Sequence, residues 1–212
     1  MKELIRSELF KLRKLSSVRM IFLFAFIAGI IQGFSPLSGY QVYIVSFGPE
    51  LSDIMLISVF TVIFLCTEFS NRTYGNAFLC GISRQTIFSA KLAVYFPALL
   101  VLILLPMTVS ISVTTMRNGF GTDWDTVTGE IAATILSYIL YRFFMAGLAI
   151  LAAVVIQNQI GTLGISIAGI YIITIIKPLK YPATQTVLIC TILQTTIILY
   201  VTARIFIRRE LS

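Results

Sequence analysis

Six apolar segments run through the chain, at about 18–34, 51–67, 92–115, 131–156, 161–176 and 184–203, with short polar stretches between them. Runs of this kind approach the ~20 residues that an α-helix needs to cross ~30 Å of hydrocarbon. None alternates with the two-residue period of a barrel strand. The pattern therefore predicts an all-α integral membrane protein, six transmembrane helices in one domain over 1–212. The fourth segment is long, roughly 39 Å at 1.5 Å per residue, and has to tilt or project from the bilayer. The fifth is short. The third contains Pro97 and Pro106, each of which removes a backbone donor and crowds the preceding turn, so a bent helix is expected there.

Residues 1–17 carry a different pattern. Ile5, Leu9 and Leu12, flanked by Leu4 and Leu15, make one apolar stripe, and Lys2, Arg6 and Arg13 cluster on another face. This predicts an amphipathic helix lying in the membrane interface with its basic face toward anionic lipid. A basic start before an apolar run also fits a secretory signal peptide; against that stand the length of the basic part, the lack of a small-residue cleavage site and the spans that follow. Within the first span, Ala25, Gly29 and Gly33 recur every four residues and offer a face that another helix can approach closely. That face is a candidate dimer seam, or equally a packing surface for a helix of the same chain.

The longest polar interruption is 68–91. Tyr74, Ala77, Phe78 and Gly81 fall at i, i+3, i+4 and i+7, which predicts a short helix over 71–80 with one apolar stripe. Ser70 and Gly81 can cap it, and Ser83 can cap the helix that follows. Glu68 and Arg72 stand one turn apart and can pair. Read from periodicity alone, the segment is either a lever between two spans or an ordinary helix at the lipid headgroups. The run Glu68, Phe69, Thr73, Asn76, Gly81, Ser83, Arg84, Ile87, Lys91, Leu92 resembles the loop after the second span in ABC-2-type transporter permeases of low-GC Gram-positive bacteria. It departs from many of them in placing Thr73 before Gly75. The resemblance implies a cytoplasmic coupling helix that docks on a separate ATP-binding subunit. It also implies two ATP-binding subunits and two permease subunits, identical or different, with ATP and Mg held by the partner and no cofactor in this chain. The candidate coupling residues are Glu68, Arg72, Tyr74, Phe78, Leu79 and Arg84, with Phe78 and Leu79 as the anchors.

Composition and charge sharpen the picture. With 58% hydrophobic and 12% charged residues and a mean hydropathy of +0.95, the chain is far too apolar for a soluble domain. Twelve of its sixteen Lys and Arg lie at the termini or in the even-numbered loops, and only Arg117, Lys177 and Lys180 lie in the odd-numbered ones. The positive-inside rule then places both termini and the 68–91 loop in the cytoplasm of a bacterial plasma-membrane protein. The net charge of +7 reflects that topology, and no nucleic-acid partner is called for. The remaining cation, Arg142, sits midway along the fourth span, where a charge costs on the order of 2.5–3.5 kcal/mol. It has to face protein or water: it lines a translocation path, pairs with a carboxylate near a dimer axis, or bonds to backbone carbonyls of a neighbouring helix.

The sequence contains no His and no phosphate-cradling Gly-x-x-x-x-Gly-Lys-Ser/Thr loop, which excludes His-dependent triads and ATP hydrolysis by a loop of that kind. Three cysteines, Cys66, Cys80 and Cys190, imply no disulfide framework. Asn71-Arg72-Thr73 matches a glycosylation acceptor, but its expected cytoplasmic position makes the match fortuitous. Three function classes remain. The favoured one is the permease subunit of an ATP-driven exporter of a peptide or other hydrophobic or amphipathic compound. An ATP-independent carrier or channel is the alternative, and an intramembrane enzyme, for which no paired acids or activated nucleophile is visible in the spans, comes last.

Overall fold

In the computed structural model the described residues are 2–46, 51–67, 83–121, 124–176 and 185–208; the side chains of 124–133, 175, 176, 185–188 and 208 also lie outside the description. All regular structure among them is helical. The elements are α1 (Lys2–Lys14), α2 (Ser16–Gly33), α3 (Gly39–Ser46), α4 (Leu51–Thr61) with a π-helical extension (Val62–Cys66), α5 (Arg84–Asn118), α6 (Trp124–Ile156), α7 (Gln159–Ile176) and α8 (Gln185–Arg208).

Every apolar segment read from the sequence is helical, but the helices differ in reach. Four are long and apolar enough to cross a membrane: Ser16–Gly33, Arg84–Asn118, Thr134–Ile156 and Ile189–Ile207. The second and fifth of the six expected spans do not qualify by themselves. Gly39–Ser46 and Leu51–Cys66 meet at an angle of 55° and reach spanning length only as a bent pair, and Gln159–Thr174 is a shorter apolar helix. At 1.5 Å per residue, 16 residues cover roughly 24 Å, less than the ~30 Å of hydrocarbon.

α2 packs most extensively on α5, and α6 packs on α7, α8 and α4. Of the four long helices α6 is the most enclosed: 56% of its apolar window is buried, against 17% for α8. A buried spine of Tyr138, Tyr141, Met145, Ala146, Ala149, Ile150 and Ala153 recurs at helical spacing along it. Small residues along that spine let neighbouring helices close in, and α8 places Ile198 against Gly147. α5 continues as one 35-residue helix through both Pro97 and Pro106.

Local signals set the remaining boundaries. Leu15 alone separates α1 from α2, with extended φ/ψ of −63° and 112° that interrupt the helix there. The far end of the bundle is closed by paired loops. Gly39 N–H donates to the Gly119 carbonyl at 3.0 Å and Tyr40 N–H to Phe120 at 2.9 Å. Gly119, at φ 76°, and Gly121, at φ 85°, supply the left-handed turns those bonds need.

Candidate coupling and transport site

The 68–91 segment was expected to carry most of the site. Glu68, Arg72, Tyr74, Phe78 and Leu79 lie outside the described residues. Arg84 is described: it is half-buried in the first turn of α5, whose cap is Ser83, the Oγ of which accepts the Thr86 N–H at 3.2 Å. Two turns further on, Lys91 belongs to α5 and not to the loop, and it is 1% exposed.

Lys91 organises a junction between α1, α4 and α5. Its Nζ donates to Glu8 Oε2 of α1 at 2.8 Å and stands 5.2 Å from the centre of the Phe64 ring in the π-extension of α4. Lys11 Nζ donates to the other carboxylate oxygen of Glu8 at 2.7 Å. Helix α1, the last turns before 68–82 and the first turns after it thus meet at one buried ion pair. Burial drives the Glu8 carboxyl upward, but Lys91 and Lys11 outweigh it and hold the group below its ordinary 4.5.

Of the expected stripe, Ile5, Leu9 and Leu12 with Leu4 and Leu15 beside them, Leu4, Ile5, Leu12 and Leu15 pack on the core; Glu8 joins that face and Leu9 is 42% exposed. A carboxylate stands in the packed stripe because two lysines neutralise it there.

The end of α4 is irregular for identifiable reasons. Thr67 N–H reaches back five residues to the Val62 carbonyl, and Thr67 Oγ1 donates to Ile63 at 2.8 Å. The widened turn is pinned laterally: Cys66 Sγ donates to Thr162 Oγ1 of α7 at 3.3 Å, and the Thr61 hydroxyl shares a 2.7 Å bond with Tyr95 of α5. A π-turn inside an α-helix is rare and often marks a functional position.

A second buried ion pair lies within the bundle. Arg142 of α6 is fully buried, and its Nη2 pairs with Asp53 Oδ2 of α4. Tyr138, one turn before Arg142, donates its hydroxyl to the same carboxylate oxygen at 3.4 Å, and the guanidinium sits 4.7 Å from the Tyr138 ring centre. A crevice of about 20 Å³, room for one water, reaches Asp53 between Gln32, Ser46, Ser52 and Tyr138. Among the surroundings read for Arg142, a carboxylate partner is present, and it comes from the same chain.

Asp53 was missed. The signal was there: it is the only acidic residue inside any of the six expected spans, and a mid-span arginine needs an acid. Glu8 and Lys91 were missed because their pairing bridges 83 residues, which no periodicity reports.

The Ala25, Gly29, Gly33 stripe is occupied within the chain by α5. A Cβ on Gly29 would lie 2.7 Å from the Pro106 carbonyl oxygen, and one on Gly33 2.7 Å from Val113 Cβ. Thr114 Oγ1 donates to the Gly33 carbonyl at 3.1 Å, the close approach those glycines permit. Ala25 is fully buried in the same seam, so no room is left there for a helix of a second subunit.

Among the described residues no three His, Cys, Asp or Glu side chains come together as metal ligands do. What the arrangement offers is two charge clamps across helix junctions, one at the base of the bundle and one inside it. Compared with known proteins, residues 4–177 match the family described as ABC-2 family transporter protein. No curated protein and no solved structure matches the chain.

Proposed function

The chain belongs to the ABC-2 transporter family, a family of membrane transport components, and on that premise we propose that it is the permease subunit of an ATP-driven exporter. In this reading two copies of a separate ATP-binding subunit, carrying ATP and Mg, drive a dimer of permease subunits, and the path serves a peptide or other amphipathic compound. Both termini and the 68–91 segment face the cytoplasm of a bacterial plasma membrane. Helices 51–67 and 159–176 complete six crossings, the first together with α3 and the second by local thinning or tilt of its neighbours.

The observation that carries this reading is the buried Lys91 junction. A segment that receives force from a partner is useful only if both of its ends are tied to the spans, and Lys91 ties the helix leaving 68–82 to the helix entering it, and both to α1. Glu68, Arg72, Tyr74, Phe78, Leu79 and Arg84 make the contact in this proposal, with Phe78 and Leu79 seated in the partner.

The test is a pull-down of the full chain in detergent with the ATP-binding subunit encoded beside it, comparing wild type with Phe78→Asp. Association in wild type that falls at least tenfold in the variant supports the reading. A well-folded wild-type protein that captures no ATP-binding subunit would bring an ATP-independent carrier or channel to the front.

A further inference from the structure

Two concave features meet at Ile63. One, of about 430 Å³, fills the elbow between α1 and α2 and is lined by Lys11, Lys14, Leu15, Ile63 and Phe64, among others. The other, of about 840 Å³, runs between α2 and α4 over Met20, Phe24, Leu51, Met55, Val59 and Ile63. The first is basic at its mouth and the second is apolar along its length. From Ile63 to Leu51 the groove follows roughly 18 Å of helix, close to one leaflet of a ~30 Å core and well short of the full crossing that a packed helix from another subunit would need.

The elbow has the charge to hold an anion. α1 carries five basic and two acidic side chains, and one of those acids, Glu8, already faces Lys11 and Lys91. Lys14 is exposed, with Nζ 5.9 Å from the Phe10 ring centre, and it lies two residues before α2, which is long and apolar enough to cross a membrane. The walls of the groove are open to the outside: Met20 is 65% and Phe24 63% exposed.

We propose that elbow and groove together bind one anionic phospholipid, the phosphate against Lys14 and Lys11 and an acyl chain along Met20, Phe24, Met55 and Val59. The site would fix the interfacial helix to the membrane at the point where α1 meets the Lys91 junction. It does not depend on the direction of transport or on the identity of the partner.

The experiment is native mass spectrometry of the delipidated full chain, titrated with phosphatidylglycerol or phosphatidylcholine of the same acyl composition. Wild type should retain one phosphatidylglycerol in clear preference. Lys14→Gln should weaken that binding about fivefold and leave phosphatidylcholine unchanged, while Lys14→Arg restores it. Met55→Trp, which fills the groove from its exposed side, should lower the binding of both lipids. Equal retention of the two lipids by wild type, or displacement of phosphatidylglycerol by millimolar inorganic phosphate, would overturn the proposal. So would efficient cross-linking of Met55→Cys protomers to one another in phosphatidylglycerol vesicles, since a second copy of the chain would then occupy the groove.

Discussion

Two buried ion pairs sit at opposite depths of the same bundle, and their surroundings differ. Arg142 and Asp53 face each other between α6 and α4, with Tyr138 on the same carboxylate oxygen and Gln32, Ser46 and Ser52 along the crevice that reaches Asp53. Lys91 and Glu8 face each other at the base, with the half-exposed Lys11 on the second oxygen and the Phe64 ring on the far side. In the inner pair one Asp53 oxygen takes both a guanidinium and a tyrosine hydroxyl from α6. In the outer pair Glu8 divides its two oxygens between a buried lysine and a half-exposed one. Equal chemistry therefore yields a fixed strut in one place and an adjustable tie in the other, and the adjustable one is beside 68–82.

The largest effect that separates them is at the inner pair. Asp53→Leu should cost about 3–5 kcal/mol, because it leaves a guanidinium uncompensated in low dielectric. The double variant Asp53→Leu, Arg142→Leu should recover most of the loss, since a well-packed apolar pair is often as stable as the ionic one. Thermal melts of the detergent-solubilised protein measure both. A double variant as unstable as the single would show that packing, and not charge, holds α4 to α6.

A charge-free strain in the same bundle sharpens the contrast. Gly29→Ala drives a methyl against the backbone of Pro106, which cannot swing aside as a side chain would, and should cost about 3 kcal/mol, at the upper end for overpacking. Gly164→Ala and Gly169→Ala meet nothing within 4 Å and should leave the melt nearly unchanged. The Gly29→Ala loss should be the same at pH 7 and pH 4, which no variant of the outer pair can match.

The outer pair carries a pH signature. Because Glu8 titrates below its ordinary value in the folded protein, its contribution is fully present above pH 4.5 and is lost as the pH falls through the depressed folded value. Glu8→Gln should cost about 1–2 kcal/mol at pH 7, less than the inner pair, because Lys91 keeps the Phe64 ring. Between pH 7 and pH 4 the variant should lose less stability than wild type. An identical acid slope in the two would place the sensitivity on other carboxylates.

The sequence made some of this legible and hid the rest for physical reasons. Helical class and the positions of the apolar segments follow from period and length, which are local properties. The Ala25, Gly29, Gly33 stripe was visible as a close-packing face, but its partner, the backbone around Pro106, is a tertiary fact. Arg142 announced itself by its cost in hydrocarbon, and Asp53 could have been assigned as its partner by elimination. Glu8 and Lys91 could not, since each looked solvated within its own segment: Glu8 among the polar residues of an interfacial helix, Lys91 at the end of a basic loop. The π turn that ends the second span was equally hidden, because composition reads 51–67 as one apolar run and does not report the backbone pairing of Val62–Cys66.

The smallest effect tests whether the inner strut is a pair or a triad. Tyr138 contributes two things to it: a hydroxyl 3.4 Å from Asp53 Oδ2, and a ring face 4.7 Å from the guanidinium. A bond of that length is weak, so Tyr138→Phe, which removes the hydroxyl and keeps the face, should cost under about 1 kcal/mol. Tyr138→Leu removes both and should cost more, by a cation–π share of about 1–2 kcal/mol at a desolvated site. Measured in the background of Asp53→Leu, Arg142→Leu, the difference between the two substitutions should shrink, because the ring then has no cation to face. If it stays the same size, Tyr138 acts as a packing residue, and the strut consists of Arg142 and Asp53 alone.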